Sequence, residues 1–132
     1  MARRITRILL AAFFLAAGVA HFVRPEPYIA IVPPALPAPE LLVAVSGAAE
    51  IVGGVGLLVP ALRRAAGVGL IALLLAVYPA NVYMATHDVP LGRLRLPWWA
   101  HAIRLPLQFV LIAVVAWAVG LWRRPRAGPV TS

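Results

Sequence analysis

The sequence has 132 residues, of which 63% are hydrophobic and only 12% charged, and its mean hydropathy is +0.93. A soluble domain carries roughly 25% charged residues, and so short a chain cannot hide this much apolar surface in its own core. The composition therefore excludes an ordinary water-soluble domain and makes lipid the solvent. The net charge is +8, and all 12 basic residues are Arg. They cluster at the ends of apolar runs, as membrane topology determinants do, so no nucleic-acid partner is expected. There is no Cys, which removes thiolate metal sites, iron–sulfur clusters and thiol redox chemistry within this chain.

A spanning helix needs about 20 mainly apolar residues. Four segments meet that length and predict an all-α, single-domain membrane protein: residues 5–23, 41–59, 65–84 and 98–122. The first follows Arg3, Arg4 and Arg7 and could be read as a signal peptide, with small residues at Gly18–Ala20 as a cleavage site. Three further spans and the polar His21 at its end favour its retention as a helix. Arg24-Pro25-Glu26-Pro27 closes it, and Pro60 with Arg63-Arg64 separates the second span from the third. His87-Asp88-Val89-Pro90 follows the third, and Arg123-Arg124-Pro125 ends the fourth. Period-two alternation over about 10 residues, the mark of a β-barrel strand, is absent.

Four crossings put Arg3, Arg4, Arg7, Arg63, Arg64, Arg123, Arg124 and Arg126 on one side, against Arg24, Arg93 and Arg95 on the other. The positive-inside rule then predicts cytoplasmic termini in a cell (plasma or inner) membrane. Trp98, Trp99, Trp117 and Trp122 fit the aromatic belts at the two interfaces. Between the first two spans, residues 24–40 are apolar yet hold six prolines, Pro25, Pro27, Pro33, Pro34, Pro37 and Pro39. Such a segment cannot form a long helix. It predicts a short amphipathic turn at the membrane surface or over the mouth of the bundle, with a stiff linker as the alternative. A weak repeat at an offset of about 60 residues aligns Ala20-His21 with Ala80-Asn81 and Arg63-Arg64 with Arg123-Arg124, the register of a duplicated helical hairpin.

A charged side chain within a span costs about 2.5–3.5 kcal/mol on insertion scales, so it faces the bundle interior and finds a partner. Glu50 lies in the second span, one turn from Ser46 and among Gly47, Gly53, Gly54 and Gly56, small residues that let helices approach closely. His101, Arg104 and Gln108 fall on one stripe of the fourth span. Arg104 stands about six residues below Trp98, roughly 9 Å into the membrane. The third span offers Tyr78 and Asn81 around a kink expected at Pro79, and His21 ends the first. The candidate site is thus His21, Glu50, Asn81, Arg104 and Gln108, with a buried Glu50–Arg104 pair expected at its centre. The bland reading is that these groups only lock helices together, since such contacts average about 0.6 kcal/mol. No pair of residues stands at metal- or haem-ligating spacing, so no metal is assigned.

Ala17-Gly18-Val19-Ala20-His21-Phe22, Val32-Pro33-Pro34, Ser46-Gly47-Ala48-Ala49-Glu50, Pro79-Ala80-Asn81-Val82-Tyr83-Met84-Ala85 and Arg104-Leu105-Pro106-Leu107-Gln108 occur in this order. Together they resemble the DoxX-like family of small membrane proteins over residues 8–122. The resemblance implies a four-helix membrane bundle with family markers at His21, Glu50, Asn81, Arg104 and Gln108. It also implies association with membrane redox systems, including a thiosulfate:quinone oxidoreductase subunit and partners of oxidative-stress enzymes. Without Cys, redox chemistry here would need a quinone or a partner subunit. Three functions are open at this point. The chain is a subunit or partner of a quinone-linked redox complex, a non-catalytic scaffold that associates with itself or other membrane proteins, or a small-solute carrier.

Overall fold

The computed structural model describes residues 1–123. Five helices follow in order: α1 (Ala2–Val23), α2 (Glu26–Ala30), α3 (Pro39–Leu58), α4 (Arg63–Thr86) and α5 (Trp98–Ala118). All but α2 are long and apolar enough to cross a membrane, and continuous internal hydrogen bonding is what lipid demands of such segments. α1 packs on α3, α3 on α4, α4 on α5, and α5 closes the ring on α1. The long helices bury only a narrow stripe each. Leu9, Phe13, Val52, Val68, Leu75 and Val110 all point outward, an arrangement suited to a surround of acyl chains.

Apolar and polar interior are segregated along the bundle. Leu10, Ala11 and Phe14 meet Leu57, Leu70, Leu74, Val115, Ala118 and Val119 in one core cluster. These residues come from the start of α1 and α4 and the end of α3 and α5, so the core fills the end where the chain starts. The candidate residues His21, Asn81 and Arg104 fall towards the opposite end, while the arginines that open α1 and α4 lie beyond the core at the near end.

Glycine sets the helix separations. A Cβ added to Gly18 would lie 2.7 Å from the carbonyl oxygen of Gly47, and one added to Gly47 would lie 2.7 Å from Cβ of His21. Only a residue without a side chain permits α1 and α3 to approach so closely. On the other side of α3, Gly53 and Gly56 receive Leu70 and Ala66 of α4.

Two expected boundaries shift. α5 stops at Ala118 rather than at residue 122, because Gly120 adopts φ +77°. The Leu121 N–H donates to Ala116 O and the Gly120 N–H to Trp117 O, the paired bonds of a Schellman motif. α4 runs on to Thr86, through Pro79, and α5 runs through Pro106. Within the proline-rich connection, α2 forms a single short turn of helix with Pro27 in its first turn.

Candidate functional site

His21 sits in the last turn of α1, directly opposite Gly47 of α3. The glycine contact brings its ring down onto α3, where Nδ1 lies 3.3 Å from Oε2 of Glu50. The same Nδ1 lies 2.7 Å from the carbonyl oxygen of Ala17. A carbonyl can only accept, so the Nδ1–H donates to Ala17. Oε2 of Glu50 is left buried without a hydrogen bond. Tyr28, from α2, stacks on the His21 ring with centroids 3.8 Å apart and 18° between planes. Burial, and then the neighbouring Glu50 charge, push the Tyr28 phenol above its ordinary pKa. The first part of the site is therefore a carboxyl, an imidazole and a phenol from three different helices.

The second part joins α4 to α5. Asn81 Nδ2 donates to Gln108 Oε1 at 2.6 Å, and Gln108 Nε2 donates to the carbonyl of Leu74. Pro79 has no N–H, so the α4 ladder loses its bond to the Leu75 carbonyl. Gln108 engages the carbonyl next to that break, which fixes this glutamine, itself buried, across the interface.

The expected Glu50–Arg104 pair does not form. Arg104 donates instead to the sulfur of Met84, at 3.0 Å, and Glu50 lies beside His21. The helix order explains this outcome: α3 neighbours α1 and α4, whereas Arg104 is on α5, which neighbours α4 and α1. A thioether is a weak acceptor, and among the described residues the ion pairs are His21–Glu50 and Arg95–Asp88. The guanidinium of Arg104 thus keeps most of its donor capacity.

The five residues singled out from the sequence form two cross-helix sets rather than one. His21 and Glu50 make the first, Asn81 and Gln108 the second, and Arg104 stands by Met84. Sequence reasoning missed Tyr28 and Met84. Tyr28 had a signal, an aromatic within a short proline-bounded turn just after His21, while Met84 stood out only as part of the Pro79–Ala85 stretch and not as a polar partner. His101, one turn before Arg104, is buried with Nε2 lacking a hydrogen-bond partner. Two orphaned polar atoms from α3 and α5, a carboxylate oxygen and an imidazole nitrogen, therefore lie within the polar half. Such atoms are uncommon in a folded protein.

Neither the curated proteins nor the solved structures compared with this chain include a match. A family model does match, over residues 10–120, and its description is a domain of unknown function, DUF8561. That span contains every residue of both polar sets, the whole of α3, α4 and α5 and α1 from Leu10 onward, so the chain belongs to the DUF8561 family.

Proposed function

We propose that this chain is an integral protein of the cell membrane, with cytoplasmic termini, that serves as a small subunit or partner of a quinone-linked redox complex. The observation that carries the reading is the pair of buried atoms that lack a partner among the described residues, Glu50 Oε2 and His101 Nε2, together with an Arg104 whose hydrogen-bond partner among the described residues is a thioether. A buried polar atom without a partner costs about 1–3 kcal/mol, and a ligand or partner that completes its hydrogen bonds recovers that cost. A quinone head group presents carbonyl acceptors on an apolar ring, and the residues fit it. Arg104 and His101 can donate to carbonyl oxygens, while Glu50 and His21 can hold or pass a proton. When bound, a quinone would supply two-electron, two-proton chemistry, with electrons coming from a partner subunit. The resemblance to DoxX-like proteins and the eight-to-three arginine asymmetry support the redox association and the orientation respectively. α2, held by the Tyr28–His21 stack, is the proposed lid.

Purification in mild detergent tests this reading. Extraction of the pure protein should yield a quinone, retained by wild type and lost in Arg104→Gln and in Glu50→Gln with the helical spectrum unchanged. Protein that neither retains nor binds quinone, from cells whose membrane electron flow is insensitive to its deletion, sinks the proposal.

A second reading is favoured by the Asn81–Gln108–Leu74 chain of bonds. These groups satisfy one another across α4 and α5, as expected of polar helix glue in a scaffold or assembly protein. On that reading, loss of the polar groups lowers stability and complex assembly together, with no separable activity.

A further inference from the structure

The opposite end of the bundle holds the strongest charge feature of the molecule. Arg3, Arg4, Arg7, Arg63, Arg64 and Arg123 line one cavity of about 420 Å³, open at the ends of α1, α4 and α5. None of the chain's four carboxylate side chains lines it. Two of the arginines are tethered: Arg7 donates to the carbonyl of Ala118 at 2.9 Å, and Arg3 lies over the Trp117 ring, 5.3 Å from its centroid. Nε of Arg63 is buried and has no hydrogen-bond partner.

The backbone adds to this positive field. α1 and α4 both begin here, both lack a side-chain cap, and neither has an acidic residue in its first turn. Their first turns carry arginines, although the positive end of a helix dipole disfavours cations. Like charges converge on two helix starts that themselves bind anions well. This arrangement is unfavourable for the protein alone and is relieved by an anion with several oxygens.

A second cavity of about 470 Å³ adjoins the first, sharing Arg4, Arg7 and Arg63. Its remaining walls are apolar: Ile8, Leu57, Leu58 and Pro60, with Ile8 and Leu58 half exposed on the outer surface. Charge therefore passes directly into the greasy exterior of α1 and α3. A free phosphate has no use for such walls, whereas a lipid carries acyl chains just below its phosphate.

We infer that the Arg63-centred cavity is a binding site for the phosphate of an acidic glycerophospholipid, whose chains descend past Ile8 and Leu58. The inference requires the chain to sit in a bilayer but is independent of any quinone in the other half. A guanidinium holds phosphate oxygens in bidentate fashion, which an ammonium cannot. This difference separates a built site from a merely positive surface.

The test is native mass spectrometry of the full chain in detergent, titrated with phosphatidylglycerol or phosphatidylcholine. Each arginine near a membrane surface contributes about fivefold to binding an anionic lipid. Wild type should hold phosphatidylglycerol in preference to phosphatidylcholine, and Arg63→Gln with Arg64→Gln should reduce that preference about twenty-five-fold. Arg63→Lys with Arg64→Lys keeps the charge and any topology signal, yet should still lose several-fold. Arg93→Gln with Arg95→Gln, at the other end, should change nothing. If the Gln pair does not fold, Arg4→Gln with Arg123→Gln replaces it. Equal binding of the two lipids, full retention by the Lys pair, or displacement of the lipid by inorganic phosphate overturns the inference.

Discussion

Oε2 of Glu50 stands 3.3 Å from Nδ1 of His21, yet the proton on that nitrogen is donated to the Ala17 carbonyl. The two titratable side chains touch without sharing a hydrogen bond. They are close polar neighbours across the α1–α3 interface, each held by its own helix.

A double-mutant cycle measures this contact. His21→Ala and Glu50→Gln should each lower resistance to denaturation in detergent, and their coupling should be about 1 kcal/mol, within the range of polar pairs between membrane helices. Full additivity of the two substitutions would show that the pair is not energetically linked.

The glycine contact between α1 and α3 gives a sharper stability test. Gly47→Ala places a methyl 2.7 Å from Cβ of His21 and 3.0 Å from the Gly18 carbonyl oxygen, and should destabilise by about 1–3 kcal/mol through overpacking. Gly69→Ala on α4 meets nothing within 4 Å. There the gain in helix propensity, about 1 kcal/mol, is unopposed, and the variant should be as stable as wild type or more so. Thermal or denaturant unfolding of the two variants side by side checks both signs.

Gln108 bonds to two groups and Asn81 to one, so loss of Gln108 should cost more than loss of Asn81. Gln108→Leu removes the bond to Asn81 and the bond to the Leu74 carbonyl, for a cost of about 1–2 kcal/mol. Asn81→Ala removes one bond and should cost about half as much. A reversed order would place the packing role on Asn81 alone.

Tyr28 gives a spectroscopic handle on α2. Its phenol is raised by burial and by the Glu50 charge, so the neutral form is the one favoured in the folded state. The stabilisation tied to that proton is complete below about pH 10, the ordinary tyrosine value, and is lost as pH rises above it. The difference between the tyrosinate absorbance titrations of wild type and Tyr28→Phe should give a midpoint above the ordinary value. Glu50→Gln should lower that midpoint. A midpoint at the ordinary value would mean that α2 is not docked on His21.

The four long helices were legible from the apolar run lengths alone, because lipid leaves so few alternatives. Partner choice was not. Glu50 and Arg104 were expected to pair as the only acid and base clearly within spans, yet pairing follows the order of helices around the ring. That order brings His21, not Arg104, to the α3 surface through the contact of Gly18 with Gly47. The end of α5 was hidden for a different reason. Leu121 and Trp122 continue the apolar run, so hydropathy overrode the stop that Gly120 imposes through its positive φ. Tyr28 was legible as an apolar loop residue but not as a ring stacked on an imidazole, since that depends on where a five-residue helix lands.

The prolines within α4 and α5 have a mechanical consequence. Pro79 and Pro106 each delete one rung from a helical ladder, and both lie in the half of the bundle away from the apolar core. The α4–α5 pair is thus fastened in two ways, by the apolar packing of Leu70, Leu74, Val115 and Val119 at one end and, where the ladders are broken, by the side-chain bonds Asn81–Gln108 and Arg104–Met84. The polar bonds thus act as rivets at the places where the backbone has lost its own.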